Sequence, residues 1–398
     1  MKIIYIHQYF KTPKESGGTR SYWIATELVK KGHEVVVITS KNGMGVSVKK
    51  EIINNIVVIY LNVPYSNNMG FITRLRAFII FMFKSSYYTF KEQRTNLVFA
   101  TSTPLTVGVP ALLVKWFKKI PFVFEVRDLW PEVPIQMGAL NNPFLKRSAL
   151  FLEKIIYKNS SHIVALSPGM REGVLRYVNN QKKVSLIPNM SKIDIFFPRE
   201  VSKEEKHAMG LNSDKFNCIH FGTMGIANGL DYIILAAQYA KVNSINSIDF
   251  IFLGEGSEES KLKQMVYENN LNNVKFLGSK ALNEVSMIVN ACDLSIVSFA
   301  NIDILKTNSP NKLFDSLSAG KPIIVNSAGW TKRMVEEYNC GFFANPLIPE
   351  DLIRQIQILE SDIDLRKDFS KNSRLLAKNV YDKSILIPEL VEILENIK

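Results

Sequence analysis

Short apolar runs recur along the chain, separated by amphipathic stretches of helical period and by polar turns. Runs at 2–6, 34–39, 56–61, 97–100, 121–126, 161–167 and 184–187 read as strands, and 19–31 reads as a helix stopped at Gly32. Near-continuous apolar strands alternating with helices predict parallel sheets buried on both faces. The pattern breaks around Ile195-Phe196-Phe197-Pro198, and a charged stretch runs on to Lys215. It then restarts with strands at 217–221, 249–253, 274–277, 294–297 and 323–325 and helices at 229–243 and 258–270. After Phe343 the pattern is mostly helical. The expected architecture is α/β, with two doubly wound Rossmann-like domains. The boundaries fall at 1–197 for the first domain and 198–380 for the second. A final helix within 381–398 is expected to pack back toward the first domain.

Charge is unevenly spread over the 398 residues. Residues 1–200 hold 28 Lys/Arg against 12 Asp/Glu, whereas residues 201–398 hold 21 against 25, within a formal net charge of +12. A basic first half points to a polyanion: nucleic acid, an anionic bilayer or a phosphorylated substrate. The segment 71–84 has its longest uncharged run between Arg76 and Lys84, far short of the roughly 20 residues that span a bilayer. Arg74, Arg76 and Lys84 around its aromatic and aliphatic residues fit a helix lying in a membrane surface. An interior helix between layers fits the same pattern, and the nearby Lys115-Trp116-Phe117-Lys118-Lys119 favours the membrane. The first apolar run is too brief for a signal peptide. Three cysteines without paired spacing suggest a reducing compartment, and five scattered histidines offer no metal-ligand spacing.

The chemistry concentrates in Ser309-Pro310-Asn311-Lys312-Leu313-Phe314-Asp315-Ser316-Leu317-Ser318-Ala319-Gly320. Ser309 is placed to cap a helix, Pro310 suits its first position, and Gly320 stops it. The free N–H groups and positive dipole end of such a helix suit a phosphate, and Lys312 adds a full charge in the first turn. Asp315, one turn on, is positioned to accept hydrogen bonds from ribose hydroxyls. A diphosphate at one end and a ribose at the other describe a nucleotide-sugar site.

Three glycine-bearing loops follow strands: Ser16-Gly17-Gly18-Thr19-Arg20, Gly222-Thr223-Met224-Gly225 and Gly254-Glu255-Gly256. Each lets backbone N–H groups approach a phosphate or sugar. Glu125-Val126-Arg127-Asp128-Leu129-Trp130-Pro131-Glu132 puts four charges at a strand's C-terminal end. An ion pair of Arg127 with Asp128 that only fixes the loop would explain it; a catalytic or acceptor-binding role, Asp128 first and Glu132 second, is the sharper expectation. Asp362-Ile363-Asp364 reads as a solvated turn between helices rather than a metal pair.

Together these residues resemble the retaining glycosyltransferases of family 4, whose GT-B fold implies two Rossmann-like domains facing across a cleft, the first binding acceptor and the second the nucleotide sugar. The resemblance rests on Gly17-Gly18-Thr19-Arg20, Ile187-Pro188-Asn189, Phe221-Gly222, Leu253-Gly254-Glu255-Gly256 and the block from Asp315 to Gly320. That block looks like the second half of the family's Glu-x7-Glu motif with Asp315 as the second acid; the first then falls at Thr307, a departure. The loop 223–229 also lacks the family's usual basic pair, which leaves Lys312 as the substitute. The Arg127–Glu132 and Pro310–Phe314 stretches resemble a subgroup of O-antigen and capsule enzymes that transfer sugars such as N-acetylfucosamine.

The resemblance implies a UDP-sugar donor, a lipid-diphosphate-linked saccharide acceptor and transfer with retention, with no metal cofactor and no nucleic acid. It places the enzyme in the cytoplasm, peripheral on the inner face of the membrane. The catalytic candidates are Asp128, Lys312 and Glu132. Donor candidates are Gly17, Gly18, Arg20, Gly225, Glu255, Ser309, Asn311 and Asp315; Arg127 joins Arg74, Arg76 and Lys84 on the acceptor and membrane side. The rival readings are a non-hydrolysing nucleotide-sugar epimerase and a non-catalytic polyanion-binding protein.

Overall fold

The apolar runs pair as strands in two separate sheets. A computed structural model describes residues 1–15, 17–65 and 69–397, with Phe71 described in its backbone only; Ser16 of the first glycine loop lies outside the described residues. The first sheet contains β1 (Lys2–Ile6), β2 (Glu34–Lys41), β3 (Val48–Ile53), β4 (Ile56–Asn62), β5 (Leu97–Thr101), β6 (Phe122–Val126), β7 (His162–Ala165) and β8 (Val184–Leu186). Their order is β3-β4-β2-β1-β5-β6-β7-β8. The second sheet contains β9 (Phe216–Phe221), β10 (Ile248–Leu253), β11 (Val274–Phe276), β12 (Leu294–Val297), β13 (Ile323–Val325) and β14 (Gly341–Phe343), in the order β11-β10-β9-β12-β13-β14.

Every described pairing is parallel except β3 with β4. Strands β5, β6, β9 and β10 are buried along their whole length, which is why their sequences carry so little polar alternation. In each sheet the first strand lies between neighbours reached in opposite directions: β1 between β2 and β5, and β9 between β10 and β12. Crevices for ligands open at the carboxyl ends of strands at such switch points. Two strands have no counterpart in the apolar pattern. β3 (Val-Lys-Lys-Glu-Ile-Ile) is an edge strand with three consecutive charges, and β14 is only three residues long.

The chain passes between the sheets twice, and the two passages touch. The Ser191 N–H donates to Tyr381 O at 2.7 Å, and the Lys383 N–H donates to Ser191 O at 3.1 Å. Beyond that contact the helix Lys383–Glu395 lies on the first sheet's side. Its Leu386, Leu390 and Leu394 share one apolar cluster with Tyr5, Ile24 and Leu28.

The helix Phe71–Lys91 is longer than the 71–84 segment and faces two ways. Ala77, Phe78 and Phe81 are buried against the first sheet, while Ile72, Ile79, Phe83, Tyr87 and Phe90 are exposed. The expectation that Arg74, Arg76 and Lys84 act together at a surface needs correction. The Lys84 ammonium donates to Asn62 O at 2.9 Å and the Arg74 Nε–H to Met69 O at 2.9 Å, so both serve local backbone. Arg76 is exposed. Among the described residues no helix is long and apolar enough to cross a membrane.

Candidate functional site

A cavity of about 670 Å³ opens between the carboxyl edges of the two sheets. Gly17, Gly18 and Asp128 line it from the first sheet's side. Gly222, Thr223, Asn228, Glu255, Asn311, Lys312 and Asp315 line it from the second, and Lys192 reaches it from the crossing segment. Close backbone packing builds the second wall. A side chain on Gly254, at φ +138°, would overlap the Gly222 carbonyl oxygen, so the turns after β9 and β10 are pressed together without side chains between them. On the first wall, a methyl group on Gly18 would come within 3.2 Å of the Asn311 side-chain nitrogen and 3.5 Å of an Arg127 guanidinium nitrogen. Gly18 is thus where the first domain's loop meets the second domain's helix.

That helix runs Asn311–Ser318, one residue later than the sequence pattern gives, with Pro310 as the residue before its first turn. Ser309 makes no capping bond, which corrects its expected role. Its Oγ accepts from the Asn189 N–H at 3.4 Å, and its carbonyl accepts from the Asn189 side chain. Lys312 turns into the cavity. Its ammonium donates to His220 Nε2 at 2.9 Å and to Asn228 Oδ1 at 3.0 Å, two neutral acceptors. Burial without a carboxylate pushes the Lys312 pKa down to about 7, and burial plus the Lys312 charge push His220 well below its usual value. The pair gives the site a proton held between two nitrogens, and among the described residues no carboxylate bonds to either.

Asp315 is met by Lys192, whose Nζ lies 2.9 Å from Oδ1 and 3.1 Å from Oδ2. Burial raises the Asp315 pKa, and the Lys192 charge works against that rise. The salt bridge fixes the carboxylate plane while lone pairs remain on each oxygen for a hydroxyl donor. Across the cleft, Asp128 Oδ2 accepts from Thr103 Oγ1 at 2.9 Å, and burial lifts the Asp128 pKa. Arg127 lies behind it, its guanidinium 3.3 Å from His7 Nε2.

Three further expectations are corrected by geometry. Arg20 points into the first domain, where its Nε–H donates to Glu125 Oε1 at 2.9 Å and its other nitrogens donate to the carbonyls of Ile187 and Pro188. It shapes the Pro188-Asn189 turn that holds Ser309 rather than touching the cavity. Glu132 accepts from Gln136 Nε2 at 2.7 Å, and Gln136 Oε1 in turn accepts from the Ile304 N–H at 3.0 Å, so Glu132 belongs to a contact between the domains. Gly225 lies outside the cavity wall. Thr307, the register position of the family's first glutamate, packs against Gly169, and its carbonyl accepts from Ser167 Oγ.

His220, Asn228, Lys192 and Lys280 line or support the site and were missed in the sequence reading. His220 carried one available signal, a titratable residue at the carboxyl end of an apolar strand. A second cavity of about 350 Å³ lies at the ends of β1, β2 and β4, lined by Gln8, Tyr9, Lys11, Lys41, Tyr60 and Tyr65. The Gln8 side-chain amide is buried with both polar atoms unpartnered. No group of three or more His, Cys, Asp or Glu among the described residues is placed to hold a metal ion.

Residues 201–376 match the glycosyl transferases group 1 family, and residues 17–190 match the glycosyl transferase 4-like domain. Each of the two domains thus matches a glycosyltransferase family. An uncharacterized glycosyltransferase of Methanocaldococcus jannaschii, MJ1178, is 25% identical over 223 residues, which span 55% of either chain. Among solved structures, sucrose-phosphate synthase from Thermosynechococcus elongatus superposes with a TM-score of 0.79 at 17% identity, over 99% of this chain and 98% of that one. Anabaena HepE, in complex with UDP-glucose, superposes at 0.73 with 18% identity over 99% of each. The chain therefore has the GT-B fold, and the cavity lies at the cleft between its two domains.

Proposed function

We propose that this glycosyltransferase moves a sugar from a UDP-sugar to a lipid-diphosphate-linked saccharide in bacterial surface polysaccharide assembly, with retention of configuration. The observation that carries the reading is Lys312: a half-buried ammonium that bonds, among the described residues, to the neutral groups of His220 and Asn228, one turn from a carboxylate suited to ribose. A diphosphate supplies the negative charge that this lysine lacks. The leaving phosphate gains charge as the glycosidic bond breaks, so a preorganised cation there favours the transition state over bound substrate. In a front-face displacement the leaving oxygen itself accepts the acceptor's proton. Asp128 then serves to hold an acceptor or sugar hydroxyl, one of its oxygens already oriented by the bond from Thr103.

HepE bound to UDP and UDP-glucose supports the nucleotide; an N-acetylated deoxy-amino sugar such as N-acetylfucosamine follows from the sequence resemblance. The aromatic cavity beside Gln8, with Lys11 and Lys41 at its edge, suits a saccharide that carries phosphate. Charge compensation by Lys312 makes a metal unnecessary. Product mass spectrometry with a panel of UDP-sugars and lipid-linked acceptors tests the reading, with the anomeric configuration assigned by NMR. Transfer should persist in EDTA. Failure of every UDP-sugar, or strict dependence on added Mn²⁺ or Mg²⁺, would overturn the corresponding part.

A further inference from the structure

Three helices cover one flank of the first sheet: Phe71–Lys91, Gly108–Lys118 and Pro143–Asn159. Together they carry ten Lys and Arg and a single acid, Glu153, which is buried. Their inner faces are ordinary core, with Phe81, Ala111 and Ile156 fully covered. Their outer faces are not ordinary surface. On the first helix Ile79, Phe83, Tyr87 and Phe90 recur every three or four residues and all are exposed, with Arg76 on the same stripe. On the third, Phe144 and Phe151 are 76% and 64% exposed and alternate along one stripe with Arg147, Lys154 and Lys158. The middle helix closes the gap. The Phe117 ring, 71% exposed, lies 6.4 Å from that of Phe90, and Trp116 Nε1–H donates to Asn159 Oδ1 at 3.3 Å.

We propose that this three-helix face docks on an anionic lipid bilayer. Exposed aromatic and aliphatic side chains among lysines and arginines match the boundary between headgroups and acyl chains, where rings bury and cations meet phosphate. The uniform positive charge disfavours the same face pairing with a second copy of the chain, and the aliphatic residues find no counterpart on a nucleic acid. The surface is thus broader than residues 71–84, and its cations are Arg76, Arg147, Lys154 and Lys158 rather than the Arg74 and Lys84 that serve local backbone. Topology links it to the site. The first helix follows β4 and starts at the sheet's carboxyl edge, so its first turn lies on the same edge as the cleft. A docked face would bring that edge to the membrane and to a lipid-borne acceptor, the one respect in which it rests on the proposed function.

The test uses the full chain with vesicles of phosphatidylcholine alone or mixed with phosphatidylglycerol. Co-sedimentation with the mixed vesicles at low salt, weakened as salt rises, is expected, with little binding to phosphatidylcholine. Brominated lipid should quench Trp116, and Trp116→Phe should remove that quenching. Changing Arg147, Lys154 and Lys158 together to Glu should lower the bound fraction by more than about tenfold, with UDP affinity unchanged as the check on folding. Absence of binding to mixed vesicles overturns the proposal, as does binding that neither quenches Trp116 nor responds to the triple variant. Self-association abolished by the triple variant, without vesicle binding, would instead identify a protein interface. None of these readouts depends on sugar transfer, so failure here leaves the proposed activity standing.

Discussion

Lys312 Nζ lies 2.9 Å from His220 Nε2, so two basic nitrogens share one proton at the centre of the cleft. Among the described residues neither bonds to a carboxylate. The arrangement disfavours the empty cleft and is relieved when an anion arrives, which would make the protonation state of this pair a reporter of the proposed diphosphate binding.

Diphosphate binding should therefore depend on pH. With the Lys312 pKa near 7, the lysine is charged below that value and loses its proton above it. An anion raises the pKa, so binding above pH 7 must take up a proton. UDP affinity should fall about tenfold per unit as the pH rises from about 8 to 9. Calorimetry in buffers of different ionisation enthalpy should show uptake approaching one proton, and Lys312→Met should abolish both effects.

The same lysine should trade stability for turnover. Lys312→Met keeps the aliphatic stem and removes the buried charge, so the melting temperature should rise while kcat falls by on the order of a hundredfold or more. The linkage has a definite sign. A lysine whose folded pKa lies below its unfolded value destabilises the protein most at low pH, so the gain in Tm should shrink as the pH rises through about 7 and on toward 10. Unchanged kcat would show that Lys312 stands outside the reaction.

Asp315 should be read with deoxyuridine diphosphate as the comparison ligand. If its carboxylate takes ribose hydroxyls, the wild type should favour UDP over the 2′-deoxy form, and Asp315→Asn should erase most of that preference. Asp315→Ala is the poorer variant because it leaves Lys192 buried without its partner. Equal affinities of wild type for the two nucleotides would remove the 2′-hydroxyl contact.

Arg20 should behave as a structural residue. Its pair with Glu125 is almost completely covered, so Arg20→Leu leaves a buried carboxylate uncompensated and should cost about 3–5 kcal/mol in denaturant unfolding. Arg20→Leu combined with Glu125→Gln should recover much of the loss. A fall in UDP affinity without any loss of stability would return Arg20 to the donor site.

The two sheets were legible because parallel strands buried on both faces leave unbroken apolar runs, as in β9 and β10. β3 escaped because its charged residues face solvent at an edge, where hydrophobicity carries little information. In the site, Lys312 and Asp315 were legible because one helical turn joins them. Lys192 was not, since it reaches Asp315 from 123 residues away and only the fold connects them. Arg20 was misread from its place beside two glycines. The informative spacing ran the other way: Arg20, Ile24 and Leu28 recur at four residues and all point inward.

The contact between Ser191 and the Tyr381–Lys383 segment has a mechanical consequence. Because both covalent passages between the domains run through one small hydrogen-bonded knot, it acts as a fulcrum, and any opening of the cleft is a swing about it. Lys192, the next residue after Ser191, holds Asp315 beside that fulcrum. In the proposed function, a nucleotide held at Asp315 through its ribose would sit close to the pivot. The first domain's Gly18 and Asp128, on the opposite wall, would then be the part that swings over the sugar.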